Sequence, residues 1–100
     1  MNKERRNQIL LAFTKKCEDF RKRYVLDINI SEMKNSDYGL KDDYMRLYLK
    51  PHYTFSNSVF ETIKNAVGAY DYSVSASANH VVVYFKIAQT ENELEDENKG

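Results

Sequence analysis

Chemistry in this chain of 100 residues would have to come from His52 and His80, the single cysteine Cys17, and the adjacent carboxylates Asp42 and Asp43. Nucleophilic catalysis needs a nucleophile, a base and a positioning group brought together. Cys17, His52 and His80 are far apart in sequence, and their spacing is not that of a metal-ligand set. Cys17 falls on an apolar helical stripe and reads as a small buried hydrophobe rather than a reactive thiol. His80 sits where a hairpin is expected to turn, and His52 follows Pro51 at a strand end. Asp42 and Asp43 read as solvated loop residues, since adjacent side chains point apart. The three glycines, 39, 68 and 100, are isolated, so no phosphate-cradling loop exists. The residues therefore predict no catalytic site, no cofactor and no metal.

Recognition chemistry is better represented. In "YMRLYLK", residues 44–50, Tyr44, Arg46, Tyr48 and Lys50 alternate with Met45, Leu47 and Leu49. In "VVVYFKI", residues 81–87, Tyr84 and Lys86 alternate with Val83, Phe85 and Ile87. Strand geometry places each polar set on one face. Tyrosine and arginine are the usual anchors of protein interfaces. The same rings and cations could stack bases and follow phosphates of a single strand. The expected partner-binding set is Tyr44, Arg46, Tyr48, Lys50, Tyr84 and Lys86. A protein partner is the first expectation and single-stranded nucleic acid the alternative. A homodimer through sheet faces or edge strands is compatible with the same pattern.

Those side chains need a sheet to hold them. Residues 3–24 read as one amphipathic helix whose stripe is Ile9, Leu10, Phe13, Cys17, Phe20 and Tyr24. "VLDINI", residues 25–30, alternates as a strand, residues 31–43 read as a polar loop, and residues 44–50 form the next strand, ended by Pro51. "SVFE", Ser58 to Glu61, is a capping-box signature opening a second helix, with Gly68 as its C-terminal cap. The last hairpin joins "YSVSASA" to "VVVYFKI" around a turn at Asn79-His80. That turn sets Ala76 against Val83, Val74 against Phe85 and Tyr72 against Ile87, although a longer loop of the same parity would serve equally. Ala76 and Ala78 are expected to make room for bulky neighbours or a helix. The face away from the helices should show Asp27, Asn29, Ser31, Ser73, Ser75, Ser77 and Val82 beside the tyrosines and cations.

The resulting fold class is α+β: two αββ units forming a four-stranded antiparallel sheet with two helices on one face. "YVLDINI" and "YDYSVSA", 46 residues apart, hint at duplication. Residues 1–88 form the single domain, and residues 89–100, almost without apolar side chains, read as a disordered acidic tail. Net charge is zero, so no overall field favours nucleic acid or membrane. Residues 1–24 nevertheless carry eight Lys/Arg against three acids, and residues 91–100 five acids against Lys99. The tail is therefore expected to fold over the basic helix or to compete for its ligand. The cations encircle the helix instead of forming one basic face, which argues against groove binding. The N-terminal apolar run, Ile9 to Phe13, is too short for a signal-peptide core or a membrane span. A lone cysteine suits a reducing compartment. These readings add up to a small cytoplasmic, non-enzymatic, regulatory module that works by binding.

Overall fold

A computed structural model describes residues 3–34, 41–77 and 79–88. In chain order the elements are α1 (Lys3–Lys16), α2 (Glu18–Tyr24), β1 (Val25–Lys34), β2 (Lys41–Leu49), α3 (Asn57–Val67), β3 (Asp71–Ala76) and β4 (Val81–Ala88). The four strands form one antiparallel sheet in the order β1-β2-β4-β3. The protein is thus α+β, with three helices where two were expected. The acidic segment 89–100 and the loop residues 35–40, with Asn35-Ser36-Asp37 and Gly39, lie outside the described residues.

The expected 3–24 helix is divided at Cys17, where φ is −128° and ψ is 37°. Its hydrogen bonds still run through the junction: the Cys17 amide donates to the Phe13 carbonyl at 2.8 Å and the Arg21 amide to the Cys17 carbonyl at 2.9 Å. The chain therefore bends without opening a full turn. The bend brings Phe20 and Tyr24 to rings beyond β2: Phe20 lies 5.6 Å and Tyr24 5.2 Å from Phe55, and Tyr24 lies 5.1 Å from Tyr53. Ring edges meeting ring faces at such distances add favourable quadrupole contacts to area burial. Ile9, Phe13 and Cys17 remain buried, so the stripe is retained up to the bend.

One cluster contains Ile9, Phe13 and Cys17, then Phe60, Ile63 and Val67 of α3, and Ile30, Met45, Leu47, Leu49, Val83, Phe85 and Ile87 of the sheet. Phe13, Met45, Leu47, Leu49, Val83 and Phe85 are fully buried. The cluster takes the alternate residues of β2 and β4, as a strand period of two demands. β2 begins at Lys41, earlier than expected, so Asp42 and Asp43 are buried strand residues rather than a solvated loop. The first hairpin pairs Lys34 with Lys41, which makes its loop shorter than the polar composition suggested.

Helix α3 opens two residues before the capping box predicts. Its N-cap is Ser56, and the Ser58 hydroxyl lies 2.9 Å from the Ser56 hydroxyl instead of capping the Glu61 amide. It closes as expected on Gly68, whose φ of 72° is left-handed and whose amide region returns to the Lys64 carbonyl.

The last hairpin keeps the expected parity and a tight closure, but its ladder is centred one residue earlier than a turn at Asn79-His80 would set it. The Ser77 amide donates to the His80 carbonyl at 2.9 Å, and Ala76 pairs with Val81, Val74 with Val83 and Tyr72 with Phe85. The same faces meet, with each β3 residue's partner two positions earlier in β4 than the turn at Asn79-His80 would give. Among the described residues the expected crowding over β3 is not found, and Ala78 lies outside them. Ala76 and Val74 are exposed, Val74 by 47%, because β3 is an edge strand.

Candidate functional site

The sheet face opposite the core cluster is built by the register of three ladders. β2 supplies Tyr44, Arg46 and Tyr48, with Lys50 one residue past the strand end. In the β2–β4 ladder, Tyr44 stands opposite Lys86, Arg46 opposite Tyr84 and Tyr48 opposite Val82. On the far side of β2 their partners are Ser31, Asn29 and Asp27. Across β4, Lys86 pairs with Asp71, Tyr84 with Ser73 and Val82 with Ser75. Five of the six expected site residues therefore form one contiguous patch, and Lys50 extends it along β2.

The patch is internally organised. The Arg46 guanidinium lies 5.7 Å from the centre of the Tyr84 ring, a cation–π arrangement between directly opposed residues. Lys86 Nζ is 4.0 Å from Asp71 Oδ2. Tyr44, Arg46, Tyr48, Tyr84 and Lys86 are each half-buried. Val82, expected to be displayed here, is only 4% exposed and lies outside the main core cluster. It forms an apolar floor between Tyr48 and Ser75, which are its ladder partners.

Two residues unassigned by sequence reasoning complete this face. The Tyr70 hydroxyl, just after α3, donates to Asp42 Oδ2 at 2.5 Å. Tyr70 is half-exposed, while Asp42 is 8% exposed. The hydrogen bond to Asp42 is the largest cause, ahead of burial and neighbouring negative charge, that pushes the Tyr70 hydroxyl up to about 12. Asp43 turns to the other side and meets Arg5 of α1, with Arg5 Nε 3.4 Å from Asp43 Oδ2. Arg5 also reaches the Ala88 carbonyl at 3.4 Å. The adjacent aspartates thus serve opposite faces. Parity contained the signal: extending the "YMRLYLK" alternation backwards puts Asp43 with Met45, on the core side, where a carboxylate requires a partner.

The other candidate groups remain apart. Cys17 is buried at the α1–α2 junction, and burial pushes its thiol up, away from a reactive thiolate. His52 is exposed in the turn after Pro51, with φ at 71°. His80 is exposed in the last hairpin, its Nδ1 3.2 Å from the Ser77 hydroxyl. Among the described residues no three His, Cys, Asp or Glu side chains are gathered to hold a metal ion, and no helix is long and apolar enough to cross a membrane. Comparison of the chain with protein-family models, with curated proteins and with solved structures finds no match.

Proposed function

We propose that this protein is a small, non-enzymatic regulatory module of the cytoplasm that binds another protein through the Tyr44, Arg46, Tyr48, Lys50, Tyr84 and Lys86 face. In this reading residues 1–88 form one domain of two αββ units, with the helices on the opposite face and the tyrosine face left for the partner. The shared core of α1, α3 and alternate strand residues supports that division of faces.

The observation that carries the reading is the composition of the patch. Half-buried tyrosines and an arginine stacked on Tyr84 surround the apolar floor at Val82. Tyrosine and arginine over a desolvated centre are the groups from which binding hot spots are made. Charge separates this reading from nucleic acid. Arg46, Lys50 and Lys86 share the face with Asp27, Asp42 and Asp71, and Lys86 lies beside Asp71. A phosphate-tracking groove needs an excess of cations, and this face has none.

An amide-shift NMR titration with mixed-sequence single-stranded RNA and DNA, at low and moderate salt, tests that separation. The expected result is no saturable shift at residues 44–50 and 82–86. Shifts clustered there and weakened by salt would replace the protein partner with a nucleic acid.

A further inference from the structure

The two edges of the sheet are treated differently. β1 is blunted: its register shifts between Val25 and Asp27, and the Asp27 carboxylate accepts the Ile28 amide at 2.9 Å. Leu10, Arg21 and Lys22 of the helices stand beside Leu26, Asp27 and Ile28 and line a groove with them. Charges, bulges and cover are the usual protections of an edge strand. β3 lacks them from residue 72 onward. Tyr72-Ser73-Val74-Ser75-Ala76-Ser77 contains no charge, no proline and no register shift.

The direction of its free groups follows from the turn. The Ser77 amide donates to the His80 carbonyl, so 77–80 is a hydrogen-bonded pair. Such pairs alternate in an antiparallel ladder. Asp71, Ser73 and Ser75 therefore bond inward to β4, and the backbone groups of Tyr72, Val74 and Ala76 point outward. The Tyr72 amide is taken by the Asp71 carboxylate at 2.9 Å. Among the described residues, the amides of Val74 and Ala76 and the carbonyls of Tyr72, Val74 and Ala76 form an open edge.

We infer that this edge binds the β3 strand of a second copy of the chain, antiparallel and centred on Val74, joining two sheets into one of eight strands. The segment is complementary to itself in that register. Val74 meets Val74 of the second copy, and each bulky Tyr72 meets a small Ala76. Ser73 meets Ser75, and Asp71 meets Ser77, so no like charges oppose. The Val74 amides and carbonyls bond reciprocally, and each Ala76 amide reaches a Tyr72 carbonyl. Pairing covers the exposed Val74 side chain. The small residues of β3 thus suit a strand with a neighbour on both sides. This association uses an edge, and it stands or falls independently of what the tyrosine face binds.

Sedimentation velocity of the full chain from low-micromolar to near-millimolar concentration tests the inference, together with amide hydrogen exchange. The expected result is a monomer–dimer equilibrium, with Val74 and Ala76 amides protected as the dimer forms. Val74→Lys should weaken association about tenfold or more by setting two lysines against each other. Leu26→Lys, at an exposed site on the opposite edge, should leave association unchanged. Far-UV circular dichroism confirms that both variants are folded. A monomer throughout the range would overturn the inference, and so would a dimer that Val74→Lys leaves intact.

Discussion

Replacing Tyr70 by phenylalanine removes one hydroxyl and nothing else. In the folded protein that hydroxyl is pushed from 10.0 up to about 12, chiefly by its hydrogen bond to Asp42. The folded state therefore holds this proton more tightly than the unfolded chain. The linked stability is fully present below pH 10 and declines as pH rises between 10 and about 12, where the unfolded chain has released the proton and the folded one has not. Two pH units correspond to a ceiling of roughly 2.7 kcal/mol. Tyr70 is 50% exposed, and solvent screening brings the expected contribution to about 1 kcal/mol. Near neutral pH the substitution leaves the Asp42 carboxylate, 8% exposed, short of a donor, at a cost of about 1–2 kcal/mol. Urea unfolding of both proteins at pH 8, and at steps from pH 9.5 to 11.5, measures the two effects. The variant should be less stable at pH 8, and the gap should narrow as pH climbs through the upper range. Stability curves that stay parallel to the highest pH would refute the role given to the Tyr70–Asp42 bond.

Two further substitutions probe the frame that holds the face. Phe13→Ala empties a fully buried site in the core cluster and should cost about 3–5 kcal/mol in urea unfolding; a loss below about 1 kcal/mol would show that α1 is not packed into that cluster. Gly68→Ala places a Cβ in open space at a φ of 72°, so only backbone strain resists it, and a loss of about 1 kcal/mol in thermal unfolding is expected.

Strand parity was the part of this fold most open to reading from residues. Alternation in β2 and β4 separated Met45, Leu47, Leu49, Val83, Phe85 and Ile87 from Tyr44, Arg46, Tyr48, Tyr84 and Lys86, because a one-residue slip would have exposed the whole apolar set. The left-handed cap at Gly68 was legible for a similar reason, since few residues other than glycine suit that backbone. Features chosen by tertiary packing were not. The stripe from Ile9 to Tyr24 is continuous in helical projection, and the ring contacts that Phe20 and Tyr24 make with Tyr53 and Phe55 beyond the bend at Cys17 are tertiary, so no local pattern contains them. Ser56 and Ser58 are equally good caps by residue type, and the chain uses the first. The small residues of β3 looked like answers to crowding, yet that strand is an exposed edge, a fact of strand order that no local pattern contains. The candidate site was half legible: Tyr44, Arg46, Tyr48, Tyr84 and Lys86 share a face, but Asp42 and Tyr70 were hidden because their contact joins residues 28 apart in sequence.

The most direct test of the binding face is site-specific photo-crosslinking. A benzophenone amino acid replaces Tyr48 in the centre of the patch, or Glu61 on the exposed side of α3 as a control, and cells that make the protein are irradiated. A discrete protein adduct is expected from position 48, absent from position 61 and lost when Arg46→Ala is added to a variant that circular dichroism shows to be folded. A nucleic-acid adduct at position 48, no adduct at all, or the same adduct from both positions would contradict it.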